Sequence, residues 1–123
     1  QKEGYYELGR KEGTWTWWFA NGREGKKMSY KNGKPDGEAI YRYDNGQLKF
    51  IINYCNGQRD GILVYWYPDG QKRLEANYSD DCLDGIYRLW YDNGRPAKEA
   101  LFKKGAPVSA TEWNKKGKII SRF

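Results

Sequence analysis

YKNGKPDGEAIYRYDNG, residues 30–46, decides the fold. It holds a ring at Tyr30, a glycine at Gly33, an acid-glycine pair at Asp36-Gly37 and an Asn45-Gly46 turn, with Ala39, Tyr41 and Tyr43 alternating against Glu38, Ile40 and Arg42. Each part recurs every 24 residues. Gly22, Gly46, Gly70 and Gly94 each follow Asn or Asp, and Gly13, Gly37, Gly61 and Gly85 each follow an acid. Gly9, Gly33, Gly57 and Gly105 make a third series, broken by Asp81, and Tyr6, Tyr30, Tyr54, Tyr78 and Phe102 a fourth. Four series in phase mark a tandem array. It decays after Val108: Ser109 stands where glycine is expected and Gly117 comes one residue early, as capping repeats often do.

Asn-Gly and Asp-Gly favour two-residue type I′ hairpin turns, which need positive φ at both central positions. With Asn21-Gly22 as such a loop, Ala20 faces Arg23, Trp17 faces Lys26 and Trp15 faces Met28. Side chains at i and i+2 share a face. Face A then carries Trp15, Trp17, Phe19, Met28 and Tyr30, followed by Ala39, Tyr41, Tyr43, Leu48, Phe50, Ile52 and Tyr54. Leu63, Tyr65, Tyr67, Leu74, Ala76 and Tyr78 continue it, ending in Tyr87, Leu89, Tyr91, Ala100 and Phe102. Face B is mixed, with Thr14, Thr16, Glu38, Arg42, Asp44, Arg73, Glu75, Arg88 and Asp92. Such alternation predicts an antiparallel meander with one buried side. The fold class is all-β: tandem antiparallel β-hairpin repeats of 24-residue period forming one elongated, twisted sheet curled over face A. Residues 1–123 read as a single domain of about five units, the last degenerate. A homodimer would cover whatever stays exposed.

The bulk properties agree. The 123 residues are polar, with mean hydropathy −1.05. Yet 17% are aromatic and 15 are glycine. No apolar run approaches the roughly 18 residues of a membrane helix. The start at Gln1, with Met28 the one methionine, reads as processed or trimmed, which suits a cytoplasmic chain or one exported after signal cleavage. Cys55 and Cys82 are too few for a disulfide framework and read as free thiols in turns.

The unit Tyr30–Gly37 running on to Tyr41–Gly46 resembles a MORN repeat, and more closely the longer variant of bacterial YwqK-like proteins. The resemblance covers roughly residues 5–118. It implies a β-hairpin scaffold that binds proteins or membranes, and an antitoxin role, because those relatives are grouped with toxin–antitoxin modules. A phosphoinositide-kinase activity, also attached to some relatives, finds no support: the glycines are hairpin turns, with no strand-to-helix phosphate loop.

Function is read as non-catalytic. With no histidine, His-based acid–base, metal and nucleophile chemistry is absent. Asp36, Asp60 and Asp84 recur once per repeat, as turn residues accepting backbone hydrogen bonds do and a catalytic pair does not. No cofactor is expected. The candidate partner site is a face-B row of Trp18, Arg42, Trp66 and Trp90, one per repeat, with Asn114 in the fifth unit. Ile40 and Val64 flank it, with Ile62 and Ile86 beside them. Trp and Arg are the usual anchors of protein interfaces.

The net charge is +6, but residues 36–92 hold ten acids against six bases. The excess cations sit at Arg23, Lys26, Lys27, Lys31 and Lys34, and at Lys103, Lys104, Lys115, Lys116 and Lys118. Basic ends suit an acidic protein, a toxin among them, or an anionic membrane surface. The acidic middle breaks the track nucleic acid requires. A third reading stacks a glycan on the aromatic row.

Overall fold

The computed structural model describes residues 2–7 and 9–123. Its strands are Lys2–Glu7 (β1), Arg10–Trp18 (β2), Glu24–Lys31 (β3), Lys34–Arg42 (β4), Leu48–Cys55 (β5) and Gln58–Trp66 (β6). Lys72–Ser79 (β7), Cys82–Leu83 (β8), Gly85–Trp90 (β9), Pro96–Lys103 (β10), Ala106–Trp113 (β11) and Ile119–Arg122 (β12) complete them. All join one antiparallel sheet in chain order, an elongated twisted meander. β8 and β9 both pair with β7 and stand where β6 stands one repeat earlier, interrupted at Asp84.

The expected faces are present except at Leu48 and Arg73. Trp15, Met28, Ala39, Ile52, Ala76, Ala100 and Ala110 are buried. They follow a line of cross-strand neighbours through the middle of face A: Trp15 opposes Met28, Met28 opposes Ala39, and Ala39 opposes Ile52. Rings close over that line. Tyr41 stacks on Phe50 at 4.0 Å between centroids, and Phe50 on Tyr65 at 5.5 Å. Gly13, Gly37, Gly61 and Gly85 lie opposite Tyr30, Tyr54, Tyr78 and Phe102. Among the described residues, no second layer covers this face. The accessible surface is 7841 Å², against about 6,900 Å² for a compact monomer of this mass.

The turn chemistry corrects the expectation. At Asn21-Gly22 and its copies only the glycine has positive φ. The Tyr43 N–H donates to the Gln47 carbonyl and the Gly46 N–H to Tyr43, giving a three-residue loop with glycine in a bulge conformation. Type I′ turns instead occupy the other edge, at Asn32-Gly33 (φ 54° and 81°) and Asn56-Gly57 (52° and 83°). Asp80-Asp81 repeats that geometry at 49° and 67° without a glycine, so the fourth unit's turn survives its substitution.

The extra loop residue is taken up by a bulge in the following strand. Trp18 opposes Glu24 and Trp17 opposes Lys26, leaving Gly25 unpaired. Lys49 and Arg73 are its copies. The bulge reverses two face assignments. Leu48 opposes Arg42 and belongs to face B. Arg73 lies over the face-A rings of Tyr65 and Tyr67, at 5.1 and 5.4 Å.

The acid-glycine pairs are bulges within strands and not turns. Met28 opposes Ala39 while Tyr30 opposes Pro35, so Asp36-Gly37-Glu38 spans a single partner residue. In the last unit Val108 alone fills that gap, between the Leu101–Ser109 and Phe102–Pro107 pairs. Ser109 therefore takes the place of Glu38, not of the glycine.

Candidate interaction face

The face-B row is built by the loop that ends each first strand. Trp18, Arg42, Trp66 and Trp90 are the last residues of β2, β4, β6 and β9, opposing Glu24, Leu48, Lys72 and Pro96. All four are half-buried. The residue after each strand is Phe19, Tyr43, Tyr67 or Tyr91, and the three tyrosines lock the row from behind. The Tyr43 hydroxyl donates to the Trp66 carbonyl at 2.8 Å, Tyr67 to Trp90 at 2.8 Å and Tyr91 to Trp113 at 2.7 Å. The backbones of Trp66, Trp90 and Trp113 are thus pinned by the preceding repeat, while their side chains are left on the open face; Phe19, which has no hydroxyl, stands where a tyrosine would pin Arg42.

That ladder corrects the fifth member. Trp113 receives the Tyr91 bond and opposes Ile119, whereas Asn114 begins the final loop. The shortened last unit moves the register by one residue, and the early Gly117 was the signal of it. Sequence reasoning also missed Leu48 and Ile51, which the pairing places on face B beside Arg42 and Ile40.

The next row inward runs Thr16, Lys27, Ile40, Ile51, Val64, Glu75, Arg88 and Glu99. Ile40, Ile51 and Val64 form its apolar centre, and Ile62 and Ile86 beside it are 45% and 43% exposed. The flanks are charged. Lys27 pairs with Glu24 at 3.4 Å, and Arg88 with Glu99 at 3.3 Å. The Arg42 guanidinium is tied to its own loop through the Gly46 carbonyl at 3.1 Å. A shallow hollow beside Trp90 is lined by Gln71, Lys72 and Gly94. The face can therefore offer flat apolar contact with a polar margin.

Two of the repeated carboxylates act as backbone acceptors. Glu12 accepts the Asn32 N–H at 2.7 Å and Asp36 the Asn56 N–H at 3.2 Å, each capping the type I′ turn of the following repeat. Asp81 is held by Arg59: Nε lies 2.6 Å from its Oδ1, and the backbone N–H adds a second bond. Those hydrogen bonds hold the Asp81 carboxyl below the usual carboxylate range and raise Arg59. On face A, burial pushes the phenols of Tyr41, Tyr43, Tyr54 and Tyr87 upward.

Among the described residues, no three of His, Cys, Asp and Glu gather as a metal site. Cys55 and Cys82 are free, exposed thiols beside type I′ turns. The basic stretches do not make compact patches. Lys26 lies over the face-A rings of Trp17 and Tyr41 while Lys27 turns to face B. Lys103 and Lys104 sit at the type I′ edge, and Lys115 and Lys116 in the loop at the opposite one.

A family model described as MORN repeat variant matches residues 35–56, 59–80 and 83–104, more than half of the chain. Each match runs from just after one type I′ turn into the next, and so contains one hairpin with its three-residue loop. No curated protein matches the chain.

Proposed function

We propose that this chain, which belongs to the MORN repeat variant family, is a non-catalytic scaffold that binds a partner protein across face B. One observation carries the reading: a Trp or Arg recurs at the same strand-end position in every repeat, on the face opposite the core. A ring used only for packing belongs with the face-A rings. Trp18, Arg42, Trp66, Trp90 and Trp113 are the anchors, and Ile40 and Val64 supply the apolar contact between them. The five units act as one surface. An antitoxin- or immunity-like role is the case in which the partner is a toxin whose surface the ribbon covers.

The test is a double variant, Trp66→Ser with Trp90→Ser. Each ring is half-buried on face B, so the thermal midpoint stays within a few degrees of the parent. Titration of the purified partner, identified with the parent chain as bait, loses about 100-fold or more in affinity, as for two interface anchors. Unchanged affinity of a folded double variant dismisses the reading.

A further inference from the structure

Face A carries a second pattern, independent of the Trp row. From β2 to β7 its strand residues include Lys11, Lys26, Lys49, Arg59 and Arg73, and no acid. The acids of these strands turn elsewhere: Glu24, Glu38 and Glu75 to face B, Glu12 and Asp36 to the turn edge. Asp60 is exposed in the bulge that Asp36 occupies one repeat earlier, and pairs with none of these cations. Arg59 is neutralised by Asp81. Among the described residues the other four cations form no ion pair.

Each of the four stands over rings instead. Lys11 Nζ lies 5.1 Å from the Trp15 centroid and 5.0 Å from that of Tyr30. Lys26 Nζ lies 4.5 Å over Trp17, Lys49 Nζ 5.7 Å over Tyr43, and the Arg73 guanidinium 5.1 Å over Tyr65. The rings hold the cationic heads in place without neutralising them.

From this we propose that face A between β2 and β7 receives an extended acidic segment of a partner protein, lying along the ribbon with carboxylates on Lys11, Lys26, Lys49 and Arg73. Five inter-strand steps of about 4.8 Å span about 24 Å, the length of seven or eight extended residues at about 3.3 Å each. A single-stranded nucleic acid fits less well. Base stacking needs bare ring faces, and here cations or neighbouring rings take them. Beyond β7 the cations Lys98 and Lys115 are paired with Glu112 and Asp92, so the unneutralised track is short.

The experiment is fluorescence anisotropy with a labelled peptide of about eight alternating Asp and Glu residues. An Asn-Gln peptide of equal length, a thymidine octanucleotide and phosphatidylserine vesicles are the comparisons. The acidic peptide binds best, and added salt weakens it. Lys26→Glu with Arg73→Glu lowers its affinity by about tenfold or more, whereas Trp66→Ser with Trp90→Ser leaves it unchanged. On the parent chain, bound peptide shields Lys11, Lys26 and Lys49 from reductive methylation and leaves Lys103 and Lys116 open. Equal binding by the charge-reversed variant, absent lysine shielding, or tighter binding of the oligonucleotide or vesicles overturns the proposal.

Discussion

At the scale of the residue, one side chain interrupts a ladder. Asn21 Nδ2 donates to the Asp44 carbonyl of the next loop at 2.9 Å, Asn45 to Pro68 at 3.3 Å and Asn93 to Lys115 at 3.2 Å. Asp69 occupies the same position and has no proton to give; its carboxylate accepts the Gln71 N–H. Asp69→Asn keeps that acceptor, gives up the exposed bond from Gln71 Nε2 at 3.3 Å and adds a donor toward the Asp92 carbonyl. We expect a gain of about 0.5–1 kcal/mol, read as a higher midpoint in urea unfolding. The tyrosines give the pH dependence. Burial raises Tyr41, Tyr43, Tyr54 and Tyr87 above their ordinary value, so the folded chain holds phenolic protons that the unfolded chain gives up near pH 10. This stability is complete below about pH 10 and is lost as pH climbs through the raised values. Melting curves between about pH 8 and 12 show the decline, and Tyr41→Phe flattens it.

At the scale of the element, the bulge after each three-residue loop decides which face a residue meets. Plain alternation puts Leu48 and Phe50 together, but the register puts Lys49 in the bulge and separates them. Phe50→Ala removes a ring stacked between Tyr41 and Tyr65 and costs about 2–3 kcal/mol, less than the 3–5 of a fully buried ring. Leu48→Ser, on face B, costs under about 1 kcal/mol. Equal losses in chemical denaturation contradict the register. The two turn types were legible as turns and not as types. Asn-Gly occurs at both edges, so the dipeptide alone does not say which site takes the two-residue loop. What decides is the strand that follows: β3 and β5 absorb an extra residue in a bulge at Gly25 and Lys49, which lets the preceding loop hold three.

At the scale of the whole molecule, the array has one layer and nearest-neighbour contacts only. Its cohesion is the sum of similar steps: a buried central side chain, a ring over it, a Tyr hydroxyl reaching the next repeat and a capped type I′ turn. Such a chain opens from its ends. We expect amide exchange slowest in β4–β7, and faster by about tenfold or more in β1 and β12, each paired on one side only. Uniform protection across all strands contradicts this. The same geometry leaves both faces available, one to the Trp row and one to the cations over the rings.

The 24-residue recurrence was enough to determine the class of fold, the strand order and the central line of face A, because a period-two pattern between regular turns admits one pairing of neighbours. Four of the five row positions followed from that recurrence. Tertiary structure alone decided where the extra residues go. The bulge after each three-residue loop conserves the 24-residue period while moving one residue across the sheet, so it leaves no trace in the spacing. It moved Leu48 to one face and Arg73 to the other, and the shortened bulge at Val108 put Trp113 in the row where spacing had put Asn114.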